Sequence, residues 1–299
     1  MHGTAYIPLP TRGVLAVSGP DARSFLQGMV SNDVDKVDAE TAIYAGLLSP
    51  QGKFLYDFFI ALDGDVFLLD CERERIADLA KRLGMFRLRA KAEIADRSEE
   101  MSVAAVVGDR AAEVLGLAPE HGRAGPFGQG VAFVDPRLAG LGARAVLPAA
   151  SAVTSLEEAG LRQGDIADYE TLRLSLGIPD GSRDIVVDRA FLLESNFEEL
   201  HGVDFTKGCY VGQENTSRQK YRGTVRKRLL PVRVEGPLPE PGTPILLGDK
   251  EVGTMRSGFD GRAIALLRLE YVDEAKSSGT ALTAGEATIT PMPPPWAAS

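Results

Sequence analysis

The sequence predicts an α+β fold followed by a small β-barrel, and three observations carry that reading. Strand and helix patterns alternate through the first three-quarters of the chain without a regular repeat, which argues against a doubly wound parallel sheet. Beyond Arg228 the texture changes to short apolar runs, LLPVRVEG, TPILLGDKEVGTMRS and GRAIALLRLEY, separated by Pro-Gly, Gly-Asp and Asp-Gly turns. The length of 299 residues, 44% hydrophobic and 25% charged, suits two or three domains with a core each.

In chain order, residues 13–17 read as a strand. In SGPDARSFLQGMVSND, Ser18 or Gly19 can cap a helix, Pro20 suits its first turn and Asp21 its positive end. Ala22, Phe25, Leu26, Met29 and Val30 then share one helical face. KFLYDFFIAL and DVFLLDC flank Asp63-Gly64, a hairpin signal. Residues 73–83 read as a helix through Ile76, Leu79, Ala80 and Leu83, followed by strands near 92–95 and 103–107 and a helix from Asp109. GRAGPFGQG, residues 122–130, reads as a loop between strands, which resume at 131–134 and 143–147. Residues 154–176 read as one helix, stopped by Gly177 and Pro179. A loop-rich stretch leads to residue 208, the barrel begins near Leu229, and the tail TPMPPPWAAS is too proline-rich for a helix or an inner strand. The expected division is residues 1–228, with a middle subdomain at roughly 50–150, and a barrel at 229–299.

A net charge of −9 argues against a protein coated in nucleic acid. Two cysteines, Cys71 and Cys209, and three histidines supply neither a disulfide framework nor a structural zinc site. The opening MHGTAYIPLPTRG has no signal-peptide pattern, and no apolar run approaches the ~20 residues of a membrane span. The expectation is a reducing cytoplasm and no membrane.

The chemistry concentrates in KGCYVGQENTSRQKYRG, residues 207–223. Gly208 and Gly212 bracket Cys209, and good helix formers follow, so Cys209 is expected on a tight loop just before a helix N-terminus. There the helix dipole and Lys207 would favour thiolate over thiol. Residues 207–228 hold seven basic residues against one acid, Glu214, which points to an anionic ligand. A lone cysteine is commonly a small buried hydrophobe, and Cys71 at the end of an apolar strand is read that way. Glu198 and His201 have the E-x-x-H spacing of a di-iron pair, but a second pair is missing.

KGCYVGQE resembles the K-G-C-Y-x-G-Q-E signature of YgfZ-type folate-binding proteins, relatives of the glycine-cleavage T-protein (aminomethyltransferase) that include mitochondrial iron–sulfur assembly factors. GPDARSFLQGMVSNDV, LLSPQGKFLYDFFI, LRLSLGIPDGSRDI and LLESNFEELHGVDFTKG resemble the same family, so the resemblance spans most of the chain. It implies a T-protein-like fold, with a folate-binding portion of ferredoxin-like α+β units around a central hole and a C-terminal β-barrel. It also implies tetrahydrofolate binding, iron–sulfur client or assembly proteins as partners, clients that modify tRNA among them, and Cys209 as the key thiol. The cofactor-binding residues it implies are Asn32, Glu194, Asn196, Lys207, Tyr210, Gln213, Glu214 and Arg222, the last suited to a folate glutamate carboxylate.

The chain departs from the aminomethyltransferases at two places. Their R-L-E-x-G is Arg173-Leu174-Ser175-Leu176-Gly177 here, so the carboxylate expected on the pterin ring is a serine. Their paired acids are reduced to Asp57 in Gly52-Lys53-Phe54-Leu55-Tyr56-Asp57. Two functions follow: a folate-binding accessory protein for iron–sulfur cluster assembly or repair, with Cys209 as ligand or nucleophile, and a folate-dependent aminomethyl or methyl transferase with Asp57 as base. An RNA-binding role for the basic stretch is opposed by the acidic total and the few aromatics.

Overall fold

The computed structural model describes residues 3–223 and 225–298. Its helices are α1 (Ala22–Met29), α2 (Ile76–Arg87), α3 (Ala111–Val114), α4 (Ala152–Glu158), α5 (Ile166–Ser175), α6 (Gly181–Asp184), α7 (Gln213–Arg222) and α8 (Leu269–Ser278). One sheet has the strand order Ile43–Leu48, Phe54–Asp63, Val66–Glu72, Arg12–Ser18, Glu93–Asp96, antiparallel throughout. A second has the order Arg162–Gln163, Ala5–Pro8, Met101–Val107, Ala143–Pro148, Gly130–Val134, Ala124–Phe127. Six strands between Lys227 and Pro291 close the barrel, in the order Lys227–Glu235, Arg262–Arg268, Lys250–Phe259, Pro244–Leu247, Leu282–Ala284, Ala287–Pro291. This is the α+β fold with a terminal barrel that the sequence predicts.

The strand Phe54–Asp63 is apolar on both faces because both are covered. Phe54, Phe59 and Ala61 join a core with Val103, Val131 and Phe133 of the second sheet. Leu55, Phe58 and Ile60 instead meet Phe25, Leu26 and Met29 of α1 and Leu79 and Leu83 of α2. The far face of the second sheet packs Ala111 of α3 and Leu156 of α4. The layers therefore run helices, sheet, sheet, helices. Between the sheets, Asp70 accepts from Arg12 Nε at 2.6 Å and Arg144 at 2.7 Å, while Arg137 pairs with Asp135 at 2.8 Å. Arg144 and Arg137 lie over the Phe59 ring, at 4.0 and 4.8 Å from its centre. These buried ions are paired on every side, which is the condition for tolerating them there.

Four local expectations are corrected. Within the stretch read as a loop, Ala124–Phe127 forms an edge strand, and Pro126 is accommodated because an edge has one side without ladder bonds. The helix expected over 154–176 is two helices. Gly160 (φ +83°) breaks it, Arg162–Gln163 pairs parallel with Ala5–Pro8, and the Asp165 side chain caps α5 by accepting from Ala167 N. The cap of α1, expected at Ser18 or Gly19, falls at Asp21, whose carboxylate makes no capping bond and accepts from Lys91 N at 2.8 Å instead. Thr290 and Pro291 of the proline-rich tail belong to a paired barrel strand, opposite Arg233 and Val232.

Candidate functional site

The cysteine loop is tied down on both sides. Asp204 Oδ1 accepts from Thr206 N at 2.6 Å, Thr206 Oγ1 at 2.7 Å and Lys207 N at 3.1 Å, and Oδ2 accepts from Lys36 Nζ at 2.5 Å. Burial alone would raise the Asp204 carboxyl, but these bonds outweigh it and hold the group at about 2. Lys207 Nζ donates to the carbonyls of Gln27, Val30 and Asn32 at 2.7–2.8 Å. Gln27 lies in the last turn of α1, Val30 is its C-cap and Asn32 follows, so the lysine ties the end of that helix to the turn after it. Burial pushes its ammonium down to about 8. Lys207 is thus turned to α1, where the sequence suggested a role beside the thiol.

Two glycines seat the loop on the turn at residues 49–52. A Cβ on Gly212 (φ +82°) would lie 2.5 Å from Ser49 O, and one on Gly52 (φ +74°) would lie 2.8 Å from Asn215 Cβ. Val211 N donates to Gly28 O at 3.2 Å, and Tyr210 is buried, its phenol pushed up to about 12 by that burial. Cys209 is left exposed just before α7, as the sequence predicts. Cys71 is buried and its thiol pushed up to about 12 by desolvation.

The basic stretch is not a free patch. Glu194, Glu198 and Glu199 pair with Lys227, Lys220 and Arg228, and Glu214 pairs with Arg218. These three upstream glutamates cancel half of the local excess of positive charge. Arg222 and Arg226 are exposed, with no ion pair among the described residues. Gln213 Oε1 accepts from Tyr210 N at 3.3 Å and so braces the loop. His201 lies against His121 with ring centres 4.3 Å apart and planes tilted by 37°, and no group of three or more metal-ligating side chains occurs among the described residues.

Asn32 and Asn196 are structural ties here. Asn32 Nδ2 donates to Tyr44 O and His201 O, and its Oδ1 accepts from Asp33 N. Asn196 (φ 63°) is fully buried and donates to Leu229 O at 2.7 Å, joining its loop to the barrel. Ser175 is exposed and donates back to Leu172 O at 2.7 Å, so it does not stand in for the absent carboxylate.

The buried centre is built differently. Asp57 is 4% exposed; its Oδ2 accepts from Tyr44 Oη at 2.8 Å, and its Oδ1 has no partner. Burial pushes this carboxyl up to about 6 against the pull of Arg12, and Glu72 adds to the rise. Gly181 (φ +45°) lies against it, since a Cβ there would sit 3.1 Å from Asp57 Oδ1 and 2.4 Å from Glu72 Oε1. At the other end of α6, Asp184 lines a cavity of about 190 Å³ together with Arg189, Glu194, Lys227, Leu229 and Arg256. Arg256 Nε is buried without a partner.

Comparison with known proteins places the chain. The description "GCVT N-terminal domain" matches residues 7–122, and "CAF17, C-terminal beta-barrel domain" matches residues 226–299. The mitochondrial iron-sulfur cluster assembly factor IBA57 of Mus musculus is 34% identical over 316 residues, covering 96% of this chain and 84% of that one. Its Homo sapiens counterpart is 36% identical over 282 residues, covering 88% and 77%. The chain belongs to the IBA57 family. The glycine cleavage system aminomethyltransferase T of Bartonella henselae shares the fold, with a TM-score of 0.78 at 16% identity over 97% of this chain and 84% of that one.

IBA57 proteins are named as mitochondrial, which overturns the cytoplasmic expectation. Free cysteines report a reducing compartment without saying which. No helix among the described residues is long and apolar enough to cross a membrane. Sequence reasoning missed Tyr44, Asp204 and Arg256. Asp204 had a signal, an Asx-type turn with threonine two residues on; the other two meet their sites only through tertiary structure.

Proposed function

We propose that the chain acts in iron–sulfur cluster assembly or repair in the manner of a YgfZ-type protein, with the Cys209 thiol presented to iron or sulfide and tetrahydrofolate bound further in. The observation that carries this is an exposed cysteine on a loop fixed by Asp204, Lys207 and two close-packed glycines, in a chain of the IBA57 family. One cysteine cannot hold a four-iron cluster alone, so any cluster is shared with a partner chain. Iron–sulfur enzymes that modify tRNA are among the clients this reading allows.

Residues present suit parts of a folate. Asp57, with an unpartnered carboxylate oxygen, is the group to hold the donor edge of a pterin, and Arg189, Lys227 and Arg256 are the cations for a glutamate tail. The cavity of about 190 Å³ is below the roughly 300–1,000 Å³ that a drug-sized ligand occupies. It therefore takes one end of the molecule, and α6 stands between that end and Asp57. Residues 1–228 are the folate-binding portion in this reading, and 229–299 the barrel. Glu194 lines the tail end, Arg222 stays free for an anion, and Asn32, Asn196, Lys207, Tyr210, Gln213 and Glu214 shape the surroundings.

The test is complementation of a strain lacking the gene. Wild type and Cys71→Ala should restore iron–sulfur enzyme activity, and Cys209→Ala, at equal protein level, should not. Full restoration by Cys209→Ala removes the thiol from the account. A second reading, folate-dependent aminomethyl or methyl transfer with Asp57 as base, is favoured by its rise to about 6, nearer working pH. Turnover of an aminomethyl donor, lost in Asp57→Asn, would establish it.

A further inference from the structure

Helix α2 ends in GMFRLRAK, residues 84–91, and that end stands in solvent. Met85, Phe86 and Leu88 are 59%, 41% and 89% exposed, three large apolar side chains within four residues. Clustered exposure of this kind marks a contact site, where scattered single residues would not. Leu88 adopts φ 44° and ψ −105°, a backbone state that a branched residue holds only at a cost. Lys81, Arg82, Arg87, Arg89 and Lys91 flank these residues in sequence, and residues 79–92 contain no acid, in a chain whose net charge is −9.

The patch is continuous with the cysteine loop. Phe86 forms one wall of an open groove of about 550 Å³, whose other walls include Pro50, Tyr210, Val211, Gly212 and Glu214. Across the groove, α7 buries only Thr216 and exposes Arg218 and Arg222. A helix so polar and so little covered is a surface element available to a partner. Glu214, the one carboxylate at the groove, is paired with Arg218.

We infer that the face formed by the end of α2, the groove and α7 docks a partner protein whose own contact surface is acidic around an apolar centre, and that docking brings the partner beside Cys209. The inference rests on the proposed role of Cys209 and adds to it where and by what chemistry the partner binds. The apolar centre with a cationic rim is the complement of such a surface. A bilayer also attracts basic residues with exposed Phe and Leu, but a lipid surface does not fill a concave groove, so a protein is the occupant.

The experiment places the photo-crosslinker p-benzoylphenylalanine at Phe86 in the full chain in living cells, with Val153, 50% exposed on α4, as the control position. Adducts are identified by mass spectrometry, and the captured protein is then purified and its affinity measured. The expected result is an acidic protein captured from position 86 and not from 153. Arg87→Glu with Arg89→Glu should abolish capture, and raising salt from about 50 to 300 mM should weaken the purified pair at least ~10-fold. Because these side chains are exposed, unchanged thermal unfolding verifies the variants; Leu88→Asp is a second, independent lesion expected to act alike. Phospholipid adducts, equal capture from both positions, or capture indifferent to charge reversal overturns the inference. An acidic partner captured in cells where Cys209→Ala leaves iron–sulfur enzymes active keeps the docking face and removes the proposed function. Loss of those enzymes in Cys209→Ala with no capture at 86 does the reverse.

Discussion

The cysteine loop and the Asp57 centre use opposite means to hold a reactive group. At the loop the charged neighbours are satisfied: Asp204 accepts four hydrogen bonds and the Lys207 ammonium donates three, so Cys209 is held outward by groups that are themselves fixed. At the centre a carboxylate is buried with one oxygen unpartnered. The first arrangement stabilises the fold and leaves the thiol free. The second costs stability, which is the mark of a site awaiting a ligand or a proton.

That contrast can be broken from the loop side first. Lys207→Met would leave three carbonyls at and just past the end of α1 without their donor and is expected to cost about 3 kcal/mol in denaturant unfolding, with Lys207→Arg recovering part. Gly212→Ala comes next, at about 2 kcal/mol, because a Cβ would meet Ser49 O at 2.5 Å on a backbone with positive φ. In both variants Cys209 alkylation should lose its wild-type rate, since the loop no longer presents one geometry.

The centre should respond with the opposite sign. Asp57 has its folded pKa raised to about 6 from 3.8, so its contribution to stability is full below pH 3.8 and is lost as pH rises through 6. Asp57→Asn, which keeps an acceptor for Tyr44, should therefore stabilise by about 1–2 kcal/mol at pH 7.5 and by nothing measurable near pH 4. Thermal melts at the two pH values check this. The smallest effect belongs to Cys209→Ala, expected within about 0.5 kcal/mol of wild type because the side chain is exposed. A large loss there would mean that the thiol is part of the packing.

What the sequence made legible follows the range of the interactions. Helix α1, the turn at Asp63-Gly64 and the barrel were readable because apolar spacing and turn residues are local signals. Ala124–Phe127 was hidden by its glycine and proline, and the break at Gly160 by helical-looking neighbours on both sides. At the site, the glycine bracket and the position of Cys209 ahead of α7 were readable for the same local reason. The partners were not. Lys207 meets carbonyls 175–180 positions away, and three of the seven basic residues pair with glutamates upstream, so charge counted along the chain overstated the charge in space.

The claim that the thiol and the buried centre are separate devices is tested most directly by calorimetric titration of tetrahydrofolate into wild type, Cys209→Ala and Asp57→Asn, each verified as folded. The account predicts that wild type and Cys209→Ala bind alike and that Asp57→Asn binds at least ~10-fold more weakly, about 1.4 kcal/mol. Binding lost in Cys209→Ala, or unchanged in Asp57→Asn, would contradict it.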